Sequence, residues 1–242
     1  MRSYRDFPEL LHLEGALGDR LRRQLAARLA GLDLIEPAAA LLDELIERGL
    51  SGPAKAEAGA ELAELRLRQP DAAAALAALD RSRVDDQLVP ALSVQRRLLR
   101  ARALAAAGQP DAALALLDGR PGRPEQLLRA EILWQTRDWS RFAHCVEDLL
   151  ARREDSKAPL PEEDQELVIR LALAYARQAQ PGALERLRAR FAHAMRGQAD
   201  EAAFLIATLT SGRPVEPEAV LAVAAEHLAR TRDYLNSGPA SR

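Results

Sequence analysis

The residues able to bind a metal, attack a substrate or anchor a partner are few in this chain. The four histidines, His12, His144, His193 and His227, are scattered, and none lies four residues from another or from Cys145, so no local ligand spacing exists. His144 and Cys145 are neighbours on an expected helix and point in different directions, as a packed thiol beside a boundary histidine rather than a nucleophile with its base. The carboxylate pairs Glu162–Glu163 and Asp85–Asp86 stand beside Pro or polar residues, which suits helix N-termini better than acid–base catalysis. No GxxxxGK[ST] or GxGxxG loop occurs; "GRPGRP" and "TSGRP" are Pro-containing turns. Neither metal nor cofactor is expected, and the chain is not expected to be an enzyme. Recognition remains: Trp134 and Trp139 are the only tryptophans, of a residue type enriched where partners bind.

The elements that must position these residues are helices. Of 242 residues 48% are hydrophobic but only 4% aromatic, so the apolar mass is mainly Ala and Leu, the strongest helix formers, and the fold class is all-α. A net charge of −2 produces no field to steer a polyanion, which disfavours nucleic acid as a ligand. Lys55 and Lys157 are the only lysines among 34 basic residues, an arginine bias that suggests a GC-rich bacterial genome. One cysteine excludes an intramolecular disulfide and fits a reducing compartment. With no signal-peptide pattern at the N-terminus and no run of eighteen apolar residues, a cytoplasmic protein without membrane insertion is expected.

"QPDAAAAL" at 69–76 returns as "QPDAALAL" at 109–116. Pro can occupy the first helical turn and Asp favours its positive end, so each octad predicts a helix start. Helical patterns precede both, from Ala54 and from Val94, with Gly108 at the second break and Arg68 at the first. Further breaks are predicted near Asp33, at Arg137 and Asp138, and at 179–182, with helices from about Glu36 to Arg48 and on to about Arg152. This predicts one domain over 1–235 with a possible sub-boundary in the polar connector 152–163. Capping helices are expected in 7–25 and 201–235, and 236–242 forms a tail.

The pattern resembles the tetratricopeptide repeat family, whose unit is a pair of antiparallel helices. Ala101, Leu104, Gly108, Ala113 and Leu117 match its spacing in one unit, and Ala130, Leu133, Trp139 and Val146 in the next, where Phe142 replaces the usual Ala. Ala26, Leu29, Ala38, Leu42 and Leu45 match in the first unit, Ala172 and Tyr175 in the fifth. The early second-helix position falls at Ala38, Ala73, Ala113, Phe142 and Leu184, an irregular repeat length, with "RSRVDDQLVP" as an insertion.

The resemblance implies an α-solenoid of antiparallel helical hairpins, a non-enzymatic scaffold that receives a partner helix or peptide on its concave face. First helices line that face in the family, which places Arg66, Arg102, Glu131, Trp134, Gln135, Arg170 and Arg177 there, while Trp139 belongs to the core. An arginine-lined groove suits an acidic or carboxylate-bearing peptide. Asn236 is the only asparagine, so the asparagine-based dicarboxylate clamp of some family members is absent. Helical repeats that read single-stranded RNA are the alternative, disfavoured by near-neutral charge, and an enzyme on a solenoid scaffold is a more distant one. An open end of the stack would permit homo-oligomers.

Overall fold

The structure, a computed structural model, describes residues 15–48, 50–85, 88–119, 122–151 and 160–191. The expected capping helices at 201–235, the tail, His12, His193 and His227, and most of the 152–163 connector lie outside them. Among the described residues every regular element is a helix: α1 Gly15–Gly31, α2 Ile35–Arg48, α3 Gly52–Arg68, α4 Ala72–Arg81, α5 Pro90–Ala106, α6 Pro110–Leu117, α7 Arg123–Gln135, α8 Trp139–Ala151, α9 Glu162–Arg177 and α10 Pro181–Phe191. Contacts divide the chain into two compact units, Met1–Ile132 and Leu133–Arg242.

In the first unit successive helices from α1 to α6 pack against one another, and α3 also touches α5. Wedged among α2, α4 and α5, α3 buries Ala56, Ala58, Ala60 and Ala63 beside Leu62 and Leu65. Alanine suits this position because its side chain lets backbones approach without loss of helix propensity. The closest approach needs still less: a Cβ on Gly59 would lie 1.7 Å from Ser82 Oγ.

Across this contact lies Arg96. Its guanidinium donates to the carbonyls of Ala56 (2.5 Å) and Leu79 (2.8 Å) and to Ser82 Oγ (3.0 Å), and Ser82 donates to the Ala78 carbonyl (2.7 Å). One half-buried cation thus ties α3, the end of α4 and α5 together. Burial, reinforced by nearby Arg100 and Arg83, lowers its pKa from the usual arginine value. Arg97, its neighbour, turns instead to the buried Glu125 of α7, 2.6 Å away.

Six helix-to-helix connections among the described residues share one hydrogen bond. In each, an N–H donates to a carbonyl five residues back: Leu34 to Leu29, Leu50 to Leu45, Asp71 to Arg66, Gln109 to Leu104, Asp138 to Leu133 and Gln180 to Tyr175, at 2.9–3.1 Å. These bonds consume carbonyls that a helix end otherwise leaves without partners. Gly108 takes the left-handed conformation this turn favours, φ 76°, but Asp33, Arg137 and Ala179 adopt it as well, at 60°, 58° and 51°. The breaks expected near Asp33, Gly108, Arg137 and 179–182 therefore stand where the sequence placed them, though glycine occupies the left-handed position at only one of them.

The two octads fold differently. Pro110 is the first residue of α6 with Asp111 in its first turn, as expected, whereas Pro70 precedes α4 and Asp71 is the N-cap, its carboxylate accepting from the Ala74 N–H at 2.9 Å. Their buried faces differ too: Ala72, Ala75, Ala78 and Leu79 in α4, but Ala113, Leu114 and Leu117 in α6. Ala73, expected to pack like Ala113, is exposed. The octads differ at Ala74 against Leu114, and beyond them α4 continues with the buried Ala78 and Leu79 where α6 ends at the buried Leu117; a shift of one position turns a helix by about 100°.

In the second unit α8 packs on α9 and α9 on α10. The core consists of larger side chains than in the first unit: Phe142, Val146, Leu150, Val168, Leu171 and Tyr175.

Candidate partner-binding surface

Trp134 lies in the last turn of α7 and Trp139 opens α8, separated by a turn with a defined cap. Asp138 closes it: its carboxylate accepts from the Arg141 N–H at 3.1 Å and from Arg141 Nε at 2.6 Å. The backbone bond first, then the guanidinium, holds this carboxyl below the usual aspartate range. The turn sets the two tryptophans edge to face, with centroids 5.2 Å apart and planes at 74°. Trp134 also rests on the fully buried Phe142, 5.1 Å between centroids.

From α9 two arginines reach this aromatic pair. The Arg170 guanidinium carbon is 5.4 Å from the Trp134 centroid, and its side chain is paired with Glu166 one turn earlier at 2.5 Å. The Arg177 guanidinium carbon, two turns further on, is 6.0 Å from the Trp139 centroid. Next to Arg177, Gln178 donates to the carbonyls of Trp139 (3.2 Å) and Ala174 (3.1 Å). Each cation–ring contact contributes about 0.5–2 kcal/mol, more as water is excluded. Both tryptophans stay half-buried, so Trp139, expected in the core, keeps part of its ring open to solvent. It stands at the first position of α8, with Trp134 edge to face against it and the Arg177 guanidinium over its ring.

The chain matches no protein-family model, no curated protein and no solved structure.

Three of the seven residues expected at a partner surface, Trp134, Arg170 and Arg177, thus come together in the second unit, and Gln135 is exposed at the end of α7. The others belong to the first unit. Arg66 turns toward α2, pairing with Glu36 (3.1 Å) and Asp43 (3.7 Å). Arg102 is exposed on α5 with no ion pair among the described residues, and Glu131 is half-buried. Many arginines of the first unit are likewise held by carboxylates of other helices or turns: Arg23 by Glu57 and Glu61, Arg68 by Asp33, Arg81 by Asp43 and Glu47, Arg100 by Asp80. Sequence reasoning did not single out Arg96, Arg97 or Glu125, because in an arginine-rich chain a buried arginine carries no local mark.

His144 is exposed, 3.7 Å from Asp148, and Cys145 is buried, so the two point apart as expected. Among the described residues no three His, Cys, Asp or Glu side chains are placed to hold a metal, and no helix is long and apolar enough to cross a membrane. Asp85 lies in the α4–α5 connector ahead of the helix, and Asp86 lies outside the described residues.

Among the described residues each unit also has a cleft. One of about 480 Å³ runs between α1 and α3, with Arg23 held at its edge by Glu61 (2.5 Å) and Glu57 (2.8 Å); these bonds raise the Arg23 pKa against its burial. The other, about 220 Å³, is bounded by α8, α9 and α10. At its edge the buried Tyr175 hydroxyl donates to Glu147, and burial, then this bond, pushes its pKa up.

Proposed function

We propose that this protein is a non-enzymatic interaction module of the tetratricopeptide-like kind, a solenoid of antiparallel helical hairpins acting as a cytoplasmic scaffold for an acidic partner segment. The observation that carries the reading is the pairing of Trp134 with Arg170 and of Trp139 with Arg177 on a half-buried surface. Tryptophan and arginine are the residue types most enriched where truncation costs a complex most. Rigid aromatic rings lose little entropy on binding, and Arg177 offers a guanidinium suited to two-point contact with a carboxylate. The recurring turn supports the repeat reading, since six helices among the described residues end with one hydrogen bond of the same kind.

Affinity capture with quantitative mass spectrometry tests it, comparing wild type with Trp134→Ala and Arg177→Glu after circular dichroism has shown both variants folded. Partners lost from both variants support the surface. Partners retained equally by both remove it, and salt-dependent capture of mixed RNA in their place would favour the nucleic-acid reading.

A further inference from the structure

The cleft among α8, α9 and α10 is floored by the buried side chains of Leu150, Leu171, Leu187 and Phe191. At about 220 Å³ it is smaller than the roughly 300–1,000 Å³ typical of sites that enclose a whole small molecule, and has room for a single inserted side chain. Its rim is cationic on one side. Arg186 and Arg190 stand four residues apart on α10 and therefore project from one face, about 6 Å apart along the axis.

Arg186 is exposed and forms no ion pair among the described residues. Arg190 donates to the Leu150 carbonyl at 3.1 Å and covers the Phe191 ring at 4.8 Å, which fixes its direction and leaves other N–H groups for a ligand. Glu147, the rim carboxylate, already accepts from the Tyr175 hydroxyl.

We infer that this cleft receives one apolar side chain of an amphipathic partner helix whose carboxylates, one turn apart, pair with Arg186 and Arg190. A helix laid along α10 presents positions i and i+4 at the same axial spacing as the two arginines, so both pairs form in one register around the inserted side chain. This surface does not include the tryptophans, and its occupancy is independent of theirs.

The probe is a fluorescein-labelled helical peptide of Ala and Gln carrying Glu, Leu and Glu at i, i+3 and i+4, titrated by anisotropy with the full chain at low salt. Saturable binding is expected, weakened about tenfold by Arg186→Glu, the loss of one interfacial ion pair. A peptide with Lys for both Glu should bind Arg186→Glu better than wild type, and Ala for Leu should weaken binding to wild type. Absence of saturable binding, indifference to Arg186→Glu or to the loss of Leu, or an equal effect of Arg177→Glu overturns the assignment. The last result would place the peptide on the tryptophan surface instead.

Discussion

Arg170 lies over the ring of Trp134, its guanidinium carbon 5.4 Å from the centroid, and Glu166 fixes it there from one turn away. Two side chains 36 positions apart in sequence thereby pack on each other and remain partly open to solvent. A double-mutant cycle with Arg170→Met and Trp134→Leu, read by urea denaturation, should give a coupling of about 0.5–2 kcal/mol. Zero coupling would mean the stacking adds nothing to stability.

The shared turn makes two opposite predictions. A methyl group on Gly108 meets nothing within 4 Å, so Gly108→Ala isolates the cost of φ 76°, about 1 kcal/mol of destabilisation. Ala179, at φ 51°, lacks the residue its conformation favours, and Ala179→Gly should stabilise by roughly 0.5–1 kcal/mol. Denaturation midpoints of both variants check the pair, and a loss of stability in Ala179→Gly would contradict this account of the turn.

Gly59 admits no side chain, because the new Cβ would overlap Ser82 and press on the Ala78 carbonyl, 3.2 Å away. Gly59→Ala must push α3 and α4 apart and disturb the Arg96 bonds, at a cost of about 1–3 kcal/mol or more. Arg96→Ala leaves three acceptors without their cation and should cost a similar amount. Thermal melts of the two single variants and the double variant should show less than additive losses, since one contact is counted in both; strict additivity would separate them.

Stability should fall at both ends of the pH scale through identifiable groups. The Asp138 carboxyl is held below its ordinary value, so its contribution is present above an unfolded pKa of about 3.9 and is lost as pH falls through the folded one. Asp138→Asn should flatten the acid side of the profile. Tyr175 is raised, so its contribution is complete below an unfolded pKa of about 10 and is lost as pH rises above it. Tyr175→Phe should make stability less sensitive above that pH. Denaturant midpoints measured across pH check both, and an unchanged pH dependence in either variant would release that residue from the role.

The all-α class, the helix boundaries and the positions of the breaks were legible in the sequence because they rest on local causes: Ala and Leu propensity, Pro at a first turn, hydrogen bonds closing within six residues. The 81–90 stretch was likewise readable as a connector, and its Val84 and Leu88 pack against the core. Phase was not legible. "QPDAAAAL" and "QPDAALAL" look equivalent, yet Ala73 faces solvent and Ala113 is buried, because a helix buries the face that its whole apolar set and its neighbours select, not that of one octad.

Nor did the sequence alone tell which arginines were available. Arg66, expected on the partner surface, pairs with Glu36 and Asp43, while Arg96 became the tie among three helices. Helix formation depends on neighbours three or four residues away, and those are written consecutively in the chain. A guanidinium reaches across helices to whichever carboxylate or ring packing brings near, and only the tertiary structure decided that Trp134 and Arg170 would find each other.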